Sequence, residues 1–231
     1  MRVVTFGAHV LDVLAQPVDA IPEGQGATLV QHMRMSAAGP AGGTAITLAK
    51  LGVEVYTAGA IGDDEAADVL VTALNRHGVV TDDLVRVDLP TSMSMLPIRS
   101  NGDRPAIHMP GANLAYPLDR APLDLFTGAD HLHLGAPELL NPPELAPLLA
   151  DVRDTGTTIS ADILADGDPG ALAWLEPVLP HLDYLLPNDE QVRGLTGRTD
   201  LIDACRALID TGVTCVACLL YTSDAADERS S

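Results

Sequence analysis

The chain is poor in cysteine, poor in positive charge and lacks any long apolar run. Three cysteines in 231 residues, Cys205, Cys215 and Cys218, do not make a disulfide framework. No apolar stretch approaches the roughly 20 residues that span a bilayer, which excludes a transmembrane helix. No signal-peptide pattern precedes the strand-like opening at residues 2–6, which points to a cytoplasmic protein. Lysine occurs once, at Lys50, and 13 basic side chains face 32 acidic ones, a formal charge of −19. Such a surface repels phosphate backbones and anionic lipid, so nucleic acid and membrane are excluded as partners. Internal repeats and low-complexity tracts are absent. What remains is a chain 47% hydrophobic and 19% charged, the profile of one large globular domain or of one domain with a small appendage.

Short β-rich runs alternate with amphipathic stretches. The strand candidates are residues 2–6, 54–58, 131–134, 157–161, 183–186 and 213–216. The helix candidates are residues 44–51, 64–77, 143–154, 170–179, 189–195 and 201–210. In the second of these, Ala66, Val69, Leu70, Ala73 and Leu74 share one helical face. Asp64 is placed to cap its start and Gly78 to stop it. Strands separated by helices need crossover connections, so the spacing predicts an α/β fold around a mostly parallel sheet. Residues 17–35 and 91–109 break the alternation. The second reads as a β-hairpin around Asn101-Gly102, and the two together are expected to form a small sheet, a lid.

In open α/β sheets ligands bind beyond the carboxyl ends of the strands. There the sequence offers Asp12, shortly after the first strand, Gly135, Asp162, and Pro187-Asn188-Asp189-Glu190. Three tempting features have plainer explanations. His131 and His133 share a strand face with no third ligand evident, which reads as pocket lining or packing. Asp63-Asp64 reads as helix capping, and Met93, Met95 and Met109 as packing within the lid. The most specific local feature is the stretch from Ala38-Gly39-Pro40-Ala41-Gly42-Gly43-Thr44 to Leu51-Gly52. Glycines opening a helix let backbone N–H groups approach a ligand. The spacing is neither a dinucleotide fingerprint nor a P-loop, which disfavours a nicotinamide dehydrogenase.

In context the glycine stretch resembles the N-terminal signature of the ribokinase-like (PfkB) carbohydrate kinase family. Further family-like landmarks follow in order: Val53 to Asp64, then Gly111-Ala112-Asn113, then Leu185 to Gln191, then Leu195-Thr196-Gly197. The resemblance covers residues 1–217. It implies a three-layer α/β/α fold with a β-sheet lid, and transfer of a phosphoryl group from ATP, with Mg2+, to a hydroxyl of a sugar. A nucleoside or a sugar phosphate is the nearest alternative acceptor, with Arg99 or Arg104 available to a phosphate. A non-catalytic sugar-binding relative is a further alternative.

Carried over by the resemblance, Asp12 grips sugar hydroxyls, because a carboxylate accepts from two hydroxyls at once. Gly39, Gly42 and Gly43 form the hinge and floor of the sugar site, and Asn113 and Asp162 complete its substrate contacts. Asn188 and Glu190 face the nucleotide phosphates, and Glu190 and Gln191 act on magnesium through water. Two positions depart from the family. Gly43 stands where relatives carry a sugar-contacting Asn, and Gln191 stands where they carry Glu, a stronger partner for metal-bound water.

Residues 218–231 resemble a translated sequencing adapter and are expected to be a non-native tail. Relatives continue instead to a Gly-Ala-Gly-Asp motif that supplies an anion hole and the general-base Asp. That tetrapeptide does not occur in the sequence. The chain itself is therefore expected to be inactive, and the lid to offer a homodimer surface.

Overall fold

The computed structural model describes residues 1–164 and 169–220. Its chain divides into two compact units, Met1–Pro122 and Leu123–Ser231. Each unit contains parallel strands and the helices that connect them, and the first adds antiparallel pairs.

In the first unit β1 (Arg2–Gly7) is followed by β2 (Val10–Gln16), β3 (His32–Ala38), α1 (Pro40–Lys50), β4 (Glu54–Ile61), α2 (Glu65–Arg76) and β5 (Val80–Arg86). Strand β4 lies between β1 and β5, parallel to both. Ala45 and Ile46 of α1 and Ala67, Leu70 and Leu74 of α2 bury against Val55 and Ile61 of β4 and Val79. Burying each large aliphatic side chain contributes roughly 1.5–3 kcal/mol. Asp64 caps α2 by accepting from the Ala67 N–H at 2.9 Å, and Gly78, at φ 80°, ends it. Helix α1 begins four residues earlier than the pattern predicts. Pro40, whose fixed φ and missing N–H suit a first turn, starts it, and the glycines lie inside it.

The same unit holds a second, four-stranded sheet in the order β3-β2-β6-β7, with β6 at Met93–Pro97 and β7 at Ile107–Met109. Strands β6 and β7 form the expected hairpin. Its tip is closed by Gly102 donating to the Arg99 carbonyl at 3.0 Å, with Gly102 at φ 93°. Three strands were absent from the sequence pattern: β2, β3 and β5. Only residues 32–35 of the 17–35 segment are strand. The expected lid sheet instead centres on β2, so Asp12 sits inside a strand rather than after one.

The second unit runs α3 (Leu123–Thr127), β8 (His131–Gly135), α4 (Pro142–Asp154), β9 (Thr158–Asp162), α5 (Pro169–Leu175), β10 (Tyr184–Leu185), α6 (Asp189–Thr196), α7 (Leu201–Ile209) and β11 (Cys215–Val216). Its strands are ordered β11-β10-β9-β8 and are parallel. Helix α5 stops at Leu175, short of the expected residue 179, and β10 and β11 are two residues each. Among the described residues no helix is long and apolar enough to cross a membrane. Residues 221–231 of the expected tail lie outside the described residues. Leu219, inside that tail, donates its N–H to the Pro187 carbonyl at 2.8 Å.

Candidate functional site

Asp12 lies mid-strand on β2, opposite Ser36 of β3 and Ser94 of β6, and Ser94 lies opposite His108 of β7. Cross-strand partners share a face, so Ser36, Asp12, Ser94 and His108 form one polar row across all four strands. Ser94 Oγ and His108 Nδ1 are hydrogen-bonded at 3.0 Å. Burial pushes the Asp12 carboxyl above the usual carboxylate range, opposed by the Ser94 hydroxyl and by the positive charges of Arg104 and His108. Asp12 thus combines partial burial with acceptor capacity, which suits recognition of hydroxyl groups.

The glycine turn joins this sheet to α1. Gly39, at φ 84°, is the residue before the helix, and a Cβ there would lie 2.7 Å from the Ala8 carbonyl oxygen. The position is closed to other residues by both conformation and space. The Ala8 carbonyl accepts from the N–H of Ala41 at 3.0 Å and of Gly42 at 3.4 Å, tying the first turn of α1 to the end of β1. Gly42 is buried against His9, 3.2 Å separating a built Cβ from the ring. Gly43 differs: a Cβ there meets only the Ala38 Cα, at 4.0 Å, so a side chain has room.

His9, which the sequence pattern did not single out, is the buried centre of this joint. Its Nδ1 donates to the Gly7 carbonyl at 2.8 Å, leaving Nε2 to accept from Thr57 Oγ1 at 2.7 Å. Thr57 Oγ1 is bonded in turn to Thr5 Oγ1 at 2.7 Å. Burial lowers the His9 pKa to about 4, so the ring is neutral near pH 7. Asn113 clasps the same residue: its Oδ1 accepts from the His9 N–H at 3.1 Å and its Nδ2 donates to the His9 carbonyl at 3.0 Å. The Asn113 carboxamide, named from the sequence as a substrate contact, makes these two bonds to backbone with one at each polar atom.

In the second unit Asp162 ends β9 opposite Gly135. Burial raises its carboxyl, opposed by the Ile163 N–H. Asn188 caps α6 in a reciprocal capping box. Its side chain accepts from the Gln191 N–H at 2.8 Å, and Gln191 Oε1 accepts from the Asn188 N–H at 2.8 Å. Gln191 Nε2 also donates to the Ile163 carbonyl at 2.8 Å. Asp189 pairs with Arg193 at 2.7 Å, which leaves Glu190, exposed in the first turn, with no such partner among the described residues. The two histidines of β8 bond to β9: His131 to Thr158 and Ser160, each at 2.7 Å, and His133 to Ser160 at 2.9 Å.

Comparisons with known proteins agree with this architecture. The chain is 25% identical over 170 residues to a protein of Archaeoglobus fulgidus described as an uncharacterized sugar kinase, covering 74% of this chain and 68% of that one. It is 27% identical over 199 residues to an ATP-dependent ribose-1-phosphate kinase of Halopiger xanaduensis, covering 84% of this chain and 64% of the relative. The structure of Arabidopsis thaliana ribokinase complexed with ribose and ATP superposes with a TM-score of 0.77 at 23% identity, over 94% of this chain and 71% of that one. That likeness shows the ribokinase-like α/β fold. The model of the pfkB family carbohydrate kinases matches residues 2–220, and the chain belongs to that family.

Proposed function

We propose that the protein serves ATP-dependent phosphorylation of a hydroxyl group on a sugar or a related small molecule. The observation that carries this reading is the polar row on the four-stranded sheet, with the half-buried Asp12 carboxylate at its centre. Asp12 accepts from the acceptor's hydroxyls, flanked by Ser36 and Ser94. Gly39, Gly42 and Gly43 form the floor beside it, and Asn113, held to the His9 backbone by one bond from each polar atom, keeps a donor and an acceptor for the substrate. In the second unit Asp162, at the carboxyl end of β9, keeps a carboxylate for substrate, and Asn188 and Glu190 are assigned to the nucleotide. The fit to magnesium rests on Glu190, an exposed carboxylate of the hard-oxygen type that suits the hydrated ion. Gln191 holds the cap through one bond at each polar atom, and its second Oε1 lone pair remains for magnesium-bound water. Magnesium, when bound with ATP, would neutralise charge on the phosphates.

The opposite face of the four-stranded sheet exposes Met33, Met35, Met95, Ile107 and Met109. These residues alternate with the Asp12 row. We propose that a second copy of the chain covers this apolar face, making a homodimer through the lid. Sedimentation equilibrium tests it: Met35→Asp with Met95→Asp should leave a folded monomer, and a monomeric wild type would contradict it.

Binding is the first test of the activity, because the relatives are longer than this chain. Isothermal titration of the 231-residue chain with D-ribose, D-fructose and Mg-ATP should show Asp12→Ala losing the sugar while keeping the nucleotide. Equal losses of both ligands would assign Asp12 a structural role. We expect the chain alone to release no ADP in the presence of a sugar it binds. Sugar-dependent ADP formation would overturn that expectation.

A further inference from the structure

Two serines flank Asp12 on the four-stranded sheet, and their hydroxyls serve different partners. Ser36, opposite it on β3, donates its hydroxyl proton to the Ala37 carbonyl at 3.3 Å. Ser94, opposite it on β6 and buried, bonds the Asp12 carboxylate. The same Ser94 Oγ lies 3.0 Å from Nδ1 of His108, its cross-strand neighbour on β7. Edge strand β7 is held in that register by its pairing with β6. The Ser92 hydroxyl adds to this by donating to the Met109 carbonyl at 3.0 Å. Asp12, Ser94 and His108 therefore form one hydrogen-bonded chain across three strands.

The direction of that chain follows from a proton count. A serine hydroxyl has one proton to donate and two lone pairs to accept with, whereas an ionised carboxylate only accepts. Ser94 therefore donates to Asp12 and has no proton left for His108. The 3.0 Å contact is then a hydrogen bond only if His108 Nδ1 carries the proton and donates it to Ser94 Oγ. A donor on the hydroxyl oxygen polarises it and strengthens the bond it makes onward to the carboxylate. At that end Ser94 takes one of about four lone-pair sites. It fixes the plane in which the remaining sites face a ligand, so an incoming hydroxyl meets an acceptor already oriented.

We propose that His108, acting through Ser94, is a positioning residue for Asp12: its Nδ1–H orients the Ser94 hydroxyl, which in turn holds the carboxylate in the pose that receives the acceptor's hydroxyls. The inference rests on the sugar-kinase reading and adds to it a residue that acts through another. His108 lies two strands from Asp12, roughly 10 Å at the usual interstrand spacing, so its influence passes through the serine between them.

Two measurements on the full chain test the proposal. Proton–nitrogen correlation spectra of the isotopically labelled chain are taken at about pH 8, where imidazoles are ordinarily neutral. They should show His108 protonated at Nδ1 and unprotonated at Nε2, its signals identified by their loss in His108→Asn. Ser94→Ala should abolish that preference for Nδ1. Isothermal titration with D-ribose and D-fructose gives the second readout. Ser94→Ala should weaken sugar binding about tenfold and His108→Ala about threefold. The double variant should be no weaker than Ser94→Ala alone, because both changes cut one chain. His108→Asn, whose amide can still donate to Ser94, should restore wild-type affinity. His108 is exposed, so its variants should melt as the wild type does. A proton on Nε2 with Nδ1 unprotonated would overturn the proposal whatever the titrations give. Additive losses, or His108→Asn binding as weakly as His108→Ala, would also overturn it while sparing the sugar reading. Failure of both sugars to bind would overturn the sugar reading and, with it, the role built on it.

Discussion

The Asp12 row and the turn that opens α6 are both polar clusters at functionally suggestive positions, yet their hydrogen-bond economies are opposite. Around Asp12 the neighbours in register lie on three other strands, only Ser94 among them bonding the carboxylate, which keeps acceptor capacity. At α6 the cluster closes on itself: Asn188 and Gln191 satisfy each other, Gln191 also binds the Ile163 carbonyl, and Asp189 holds Arg193. A closed cluster stabilises its own helix, whereas an open one is available to a ligand. The difference leaves open acceptors at the first, where sugar recognition is proposed, and a rigid cap at the second, where Asn188 and Glu190 are proposed to face the nucleotide.

The largest expected effect comes from the open cluster. Asp12→Ala should weaken sugar binding at least about a hundredfold, since two charge-assisted bonds at ~1.5–3 kcal/mol each disappear. Thermal stability should change little, and raised stability with unchanged binding would break the contrast. His9→Gln comes next, at about 2 kcal/mol of folding stability, because it disturbs a fully buried bonded group. Its pH dependence has a definite sign. The folded pKa of about 4 lies below the unfolded value of roughly 6.5, so the unfolded state binds the proton first. The His9 contribution is complete above pH 6.5 and is lost as pH falls toward 4. The stability gap between wild type and His9→Gln should therefore narrow over that window in chemical denaturation. Asp12 and Asp162, both raised, act in the opposite direction but cancel in the difference.

A smaller effect tests the closed cluster. Asn188→Ala should cost about 1 kcal/mol through the lost cap, with sugar affinity unchanged. The smallest concerns Gly43, which has room for a side chain. Gly43→Asn should raise stability by about 0.5 kcal/mol or less and strengthen sugar binding a few-fold. Weaker binding would show that the glycine leaves space the acceptor needs.

Much of this architecture was legible in the sequence. The connecting helices announced themselves by 3.6-residue periodicity, with Asp64 and Gly78 marking the ends of α2. The strands β2, β3 and β5 did not, because Val10–Gln16 shows no clean alternation and Val80–Arg86 carries two adjacent aspartates. Asp12 was identified, but its neighbours were not. Ser36, Ser94 and His108 meet it only through the register of distant strands, which no local pattern encodes. His9 stayed hidden for the same reason, its partners being Thr57 and Asn113. The capping box of Asn188 and Gln191 was visible as Asn-x-x-Gln, a local spacing that needs no distant strand.

The most direct test of the account is a titration of the isotopically labelled chain with D-ribose and D-ribose 5-phosphate, followed by amide chemical shifts. The account predicts saturable shifts at Asp12, Ser36, Ser94 and Gly39, with little change at Val192 and Leu195. Shifts confined to α6, with the Asp12 row silent under saturating ligand, would contradict it.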